Sequence, residues 1–132
     1  MNVVTPAQRK RAKKWVQKWR HRMFLGEWFL DIAYAKYSSE HSTDNYKVNA
    51  ICAADPVYMR ALITLYPEFW DLTKVDQESC IAHELAHCHT QSVWNCMKAL
   101  HQGELVTPDQ MRCEIEQLTQ RITNIAFQQE WR

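Results

Sequence analysis

The chain has 132 residues, 46% of them hydrophobic, with six Trp, five Tyr and four Phe but only two Gly and four Pro. That excludes a low-complexity or linker-like chain and supplies apolar material for one core, so residues 1–132 read as a single domain. The net charge of +1 hides an asymmetry: residues 1–22 hold eight of the sixteen Lys and Arg and no acid, which leaves −7 on the remainder.

Thr5-Pro6-Ala7-Gln8 reads as a helix start, with Thr as N-cap, Pro first and Gln third. Ala12, Trp15, Val16, Trp19 and Met23 follow at helical spacing. Residues 1–25 are therefore expected as a basic amphipathic helix packed on the rest, ended by Gly26. The basic residues between 9 and 22 could meet nucleic acid weakly through phosphates, or form a solvated face.

From Glu27 to Tyr37 the period becomes two: Trp28, Leu30, Ile32 and Tyr34 alternate with Phe29, Asp31, Ala33 and Ala35, a half-buried strand. Residues 38–47 form a polar loop. Asn49 to Ala54 and Arg60 to Tyr66 are two more strands separated by the turn signal Asp55-Pro56, and Pro67 closes the last. Thr73 or Asp76 caps the next helix, which runs on towards Leu100 or breaks near Thr90-Gln91-Ser92. Val106-Thr107-Pro108-Asp109-Gln110 starts a closing helix whose expected buried face is Met111, Ile115, Leu118, Ile122 and Ile125. The fold class is α+β, with a small, mainly antiparallel three-stranded sheet.

The most specific feature is His83-Glu84-Leu85-Ala86-His87. Two imidazoles four residues apart share one helix face and can bind one zinc ion, while the carboxylate between them can take a proton from the zinc-bound water. By helical angle, Ile81, Ala82, Leu85, Ala86 and Cys88 line the opposite side, as a packed helix fronting a cleft requires. A catalytic zinc usually has a third protein ligand. His89 lies about 200 degrees around the helix from His87, and Val93 stands where a metzincin has histidine, so neither serves. Glu116, Glu114 and His101 remain. Burial arithmetic points to Glu114, whereas the small-residue row Thr119, Thr123 and Ala126 behind Glu116 suits close helix approach. Glu116 is the expected ligand.

On these residues the chain resembles the zincin metallopeptidases of gluzincin type, and more closely small metallopeptidase-like proteins encoded by phages and prophages. The shared blocks are Glu27-Trp28-Phe29-Leu30-Asp31-Ile32, Arg60 to Pro67, the H-E-x-x-H helix, and Glu116-Gln117-Leu118-Thr119. The resemblance implies a minimal zincin-like domain with His83, His87 and Glu116 on Zn2+ and Glu84 as base. It also implies an edge strand at 60–66 as a shelf for extended peptide. A rival resemblance, to SprT-like DNA-associated proteases, needs a downstream H-G block, from which His101-Gln102-Gly103 departs.

The expected function is zinc-dependent peptide-bond hydrolysis of a peptide or protein substrate; no oxyanion donor is assigned, and Tyr58, Tyr66, His89 and His101 are candidates by residue type only. The alternative is a metal-stabilised module that binds nucleic acid or a host protein. Five cysteines without a C-x-x-C pair, no secretory signal and no apolar run near the roughly 20 residues of a membrane span set the expected location in the cytoplasm, the host's if the chain is phage encoded.

Overall fold

In the computed structural model, which describes residues 3–130, the order of elements is α1 (Pro6–Arg22), β1 (Phe29–Tyr34), β2 (Ala50–Asp55), β3 (Arg60–Leu65), α2 (Lys74–His101) and α3 (Pro108–Glu130), with a 3-10 turn at Pro67–Asp71 before α2. The architecture is α+β. Among the described residues no helix is long and apolar enough to cross a membrane.

Local chemistry sets the helix boundaries. Thr5 and Gln8 form a reciprocal capping box at α1, and Thr107 and Gln110 form another at α3, each satisfying two backbone N–H groups that would otherwise lack partners. Thr73, and not Asp76, caps α2: its hydroxyl accepts from the Asp76 N–H. Gly26 does not end α1. The helix stops at Arg22, Phe24 takes a left-handed backbone (φ 55), and the Leu25 N–H returns to the Arg20 carbonyl. This is a Schellman ending, in which fully buried Leu25 anchors the turn and offsets the cost of a non-glycine residue at positive φ. α2 closes in the same way, with Gly103 at φ 79 and the Glu104 N–H bonded to the Ala99 carbonyl.

The sheet order is β1-β3-β2, with β1 parallel and β2 antiparallel to β3. The sheet is thus mixed, not mainly antiparallel, because the chain crosses from β1 to the far edge before β3 fills the centre. The register aligns Leu30, Ile32 and Tyr34 with Ala61, Ile63 and Leu65, and these with Ala54, Cys52 and Ala50. That face meets Ala12 and Val16 of α1 and Ile81, Leu85 and Cys88 of α2 in a single core completed by Leu25 and Phe69. The opposite face leaves Phe29, Ile51 and Leu62 exposed.

α3 turns inward a different stripe from the one expected. Met111, Glu114, Leu118, Arg121 and Ile125 are half-buried, whereas Ile115 and Ile122 are 51% and 56% exposed. Both stripes share Met111, Leu118 and Ile125. What separates them is the Arg121 guanidinium, which donates to the His89 carbonyl of α2 and holds α3 at that rotation.

Phe69 is fully buried and packs edge-to-face on Trp70. Phe69→Ala is expected to cost about 3–5 kcal/mol in urea unfolding. Ile122→Ala should stay within about 0.5 kcal/mol; a larger loss there would mean that α3 buries its other stripe.

Candidate functional site

α2 builds the site. Its Ile81, Leu85 and Cys88 ridge is sunk into the core, and the residues 100 degrees and more away along the helix surface emerge at its margin. His83 is exposed, His87 half-buried, and Glu84 lies between them only 7% exposed. The two imidazole rings stand 5.1 Å apart, nearly perpendicular. One ligand atom from each of His83, Glu84 and His87 lies within 4.8 Å of the others, a group that could hold a metal ion.

The surroundings tune these groups. Burial lowers the pKa of His87, with the neighbouring His83 adding to the effect, so neutral imidazole, the form that binds metals, is favoured. Burial also pushes the Glu84 carboxyl up to about 7. Behind it, the small inward row Ala50, Cys52 and Ala54 of β2 lets α2 lie close, and the Cys52 thiol donates to Cys88, an interaction that raises the Cys52 pKa.

The trio opens on a cavity of about 760 Å3 bounded by α2, the outer edge of β2, the 38–47 loop and Leu118 of α3. None of the proposed third ligands lies at this trio. Glu116 is exposed, because it sits about 200 degrees around α3 from both inward-facing Glu114 and Leu118. Glu114 lines a different cavity, with Asp55, Ser92 and Asn95, and its buried Oε2 has no hydrogen-bond partner there. His101 is exposed at the far end of α2, roughly 21 Å along the axis from His87.

The residue-type candidates for oxyanion donors are also absent from the lining. His89 is buried with Nε2 2.7 Å from the Met23 carbonyl, which ties α2 to the end of α1. What lines the cavity instead is His41 and Tyr46, from a segment that reads in sequence as a polar loop. No periodic pattern points to them. The loop is organised around buried Ser39, whose hydroxyl accepts the His41 N–H.

The basic residues of α1 are largely used within the fold. Arg9 lies over Tyr34, Arg11 over Trp15 and Arg22 over Trp19; Lys18 pairs with Glu78 at 2.5 Å, and Arg20 donates to the Gly26 and Trp28 carbonyls. Lys10, Lys13 and Lys14 remain exposed. Compared with protein-family models, with curated proteins and with solved structures, the chain gives no match, so the functional reading rests on its own residues and geometry.

A carboxyl whose pKa is raised by folding stabilises the fold while it is protonated. The Glu84 contribution is therefore complete below about pH 4.5 and lost as the pH rises through about 7. Glu84→Gln, a neutral isostere, lacks this dependence. In metal-free protein its stability relative to wild type should grow between pH 4.5 and 8 by on the order of 3 kcal/mol, measured by urea unfolding across that range. A flat difference would mean that the carboxyl ionises freely.

Proposed function

We propose that this protein is a zinc-dependent peptidase, with His83 and His87 as metal ligands and Glu84 as general base. The observation that carries the reading is the convergence of two imidazoles and a buried carboxyl, within 4.8 Å of one another, on one open cavity. The donor set fits zinc: imidazole nitrogens are good zinc ligands, and ligand atoms of His83, Glu84 and His87 lie within 4.8 Å of one another. When bound, zinc would acidify a coordinated water and polarise a carbonyl.

The chain's own residues supply the rest. Glu84, held near neutrality by burial, accepts a proton at its carboxylate and returns it to the departing amine. For the third position the proposed donor is His41, which lines the same cavity but stands outside the His83, Glu84 and His87 cluster. A peptide substrate is supported by the free outer edge of β2, where Ala50, Ile51 and Cys52 border the trio. Unpaired edge backbone can hydrogen-bond an extended chain. The shelf expected at 60–66 is displaced to β2, because β3 is the central strand and both its edges are taken.

The rival readings gain less. An SprT-like site needs His101, which stands far from the histidine pair. Docking of α1 on nucleic acid finds less support, because Arg9, Arg11, Lys18, Arg20 and Arg22 already meet rings, Glu78 or backbone carbonyls of the domain.

Purified protein should carry about one zinc per chain by elemental analysis. Glu84→Gln should keep the metal while peptide hydrolysis falls by roughly 10²–10⁴-fold. His83→Ala and His87→Ala should lose the metal. In chelator competition His41→Ala should weaken zinc binding by roughly tenfold or more, and Glu116→Gln by less than about threefold. Zinc retained without hydrolysis of any peptide would end the peptidase reading. An unchanged affinity in His41→Ala would remove His41 from the site.

A further inference from the structure

A second cavity, of about 250 Å3, lies where α2 meets α3, the end of α1 and the β2–β3 turn. It shares no residue with the cavity of the trio, and His89, about 200 degrees around α2 from His87, borders it. Its polar side comes from α3, whose Arg121 and Asn124 stand three residues apart and so on one helix face. Arg121 is half-buried and donates to the His89 carbonyl; among the described residues it has no carboxylate partner. A guanidinium presents its N–H donors as a rigid fork, and one bond leaves most of them unused. The Asn124 Oδ1 accepts from Gln120 at 2.8 Å, which leaves the amide N–H groups of Asn124 as donors at the cavity. No acid lines this space, so the charge it presents favours an anion.

The rest of the wall is apolar, formed by Phe24, Trp28, Pro56 and Met59. Phe24 and Met59 are also the non-glycine residues with a left-handed backbone among the described residues, at φ 55 and 51. Both sit in tight turns: the Leu25 N–H returns to Arg20 beside the one, and the Met59 N–H bonds the Pro56 carbonyl in the other. Glycine would relieve the backbone at either position. A bulky side chain stands at each instead, 50% and 39% exposed, and closes this cavity. Conformational strain kept at two places around one cavity points to a use for the side chains that impose it.

We propose that this cavity binds a small carboxylate with an apolar body, Arg121 and Asn124 holding the carboxylate and Phe24, Trp28 and Met59 enclosing the body. The guanidinium fork matches a carboxylate in two parallel hydrogen bonds, and the anion supplies the charged partner that Arg121 lacks within the fold. Inorganic phosphate would satisfy the fork but leave the aromatic wall wet. The space is smaller than the roughly 300 Å3 at which pockets for larger ligands begin. It therefore suits one ring or one branched chain, as in a free aromatic acid or the C-terminal residue of a polypeptide. The site owes nothing to the metal trio and stands apart from the peptidase reading.

The test titrates benzoate and its neutral isostere benzamide into the isotopically labelled full chain, with and without added zinc, followed by amide-resolved NMR. Saturable shifts should appear at Phe24, Met59, the Arg121 side chain and the Asn124 amide. Benzoate should bind on the order of tenfold or more tighter than benzamide, equally with and without zinc. Arg121→Lys keeps the charge but loses the fork, and should weaken benzoate by on the order of tenfold. Because Arg121 also holds α3, two further variants read the site independently. Asn124→Leu changes an exposed side chain, and Phe24→Gly suits the backbone at that φ; each should weaken benzoate by about threefold or more. Circular dichroism checks that all three fold. A short peptide ending in Phe, with a free or an amidated terminus, separates the sources: the same shifts with the free terminus alone identify a polypeptide C-terminus, and shifts with benzoate but neither peptide identify a free acid.

Equal binding of benzoate and benzamide, or no saturable shift up to about 50 mM, overturns the site. So do shifts centred on His83 and His87, which would place the carboxylate at the trio, and an affinity unmoved by both Asn124→Leu and Phe24→Gly. Inorganic phosphate binding at Arg121 as tightly as benzoate overturns the ligand class, since the apolar wall would then contribute nothing. None of these results touches the peptidase reading, which stands or falls on zinc content and hydrolysis.

Discussion

The burial of one ridge of α2 against the sheet is the contact on which the rest of this molecule depends. Ile81, Leu85 and Cys88 are 0–2% exposed and meet an inward sheet face whose β2 row is small enough to admit a helix at close range. An α-helix advances 100 degrees per residue, so sinking those three side chains leaves no freedom for the others. His83 and His87 must emerge at the cavity margin, and Glu84 must lie between margin and core. The raised Glu84 pKa is a consequence of the same packing, since the ridge that stabilises the fold also removes the carboxyl from water.

Neighbouring elements fix α2 at the residue just past the motif. His89 meets the Met23 carbonyl at the end of α1 through its ring, and its own carbonyl accepts from Arg121 of α3. Burial and the nearby Arg121 charge lower the pKa of this ring, while the Met23 carbonyl works in the opposite direction. The two contacts clamp the helix within one turn of His87, so the imidazole pair stands on a segment held from both sides. A site needs such rigid support if its ligand atoms are to keep their spacing. The basic charge of α1 is absorbed in similar fashion: cations over Tyr34, Trp15 and Trp19 and an ion pair to Glu78 make the helix part of the domain.

Much of this was legible along the chain because it is governed by near neighbours. The T-P-x-Q boxes at Thr5 and Thr107, the alternation from Glu27 to Tyr37, the strands on either side of Asp55-Pro56 and the amphipathic helix around His83 are all local patterns, and each corresponds to an element, the first strand being shorter than expected at Phe29–Tyr34. The juxtaposition of His83, Glu84 and His87 belongs with them, since i, i+1 and i+4 on one helix need nothing else to bring them together.

The relations between elements were not written in that local code. Whether β3 lies at an edge or in the centre depends on which strand the crossover reaches first, and no residue in Arg60–Leu65 announces it. The rotation of α3 was equally open. Its apolar residues fit two stripes sharing Met111, Leu118 and Ile125, and one Arg121 hydrogen bond to a carbonyl on another helix separates them. That rotation turned Glu116 outward and Leu118 into the cavity. The return of the 38–47 loop, which brings His41 to the same cavity, follows from the buried seat of Ser39 and from no spacing. The sequence by itself therefore determined the helices, the strands and the His83, Glu84 and His87 trio, because those are set within a few residues of chain. Tertiary structure alone decided what surrounds the trio, because long-range packing selects one among several faces that local periodicity leaves nearly equal in energy.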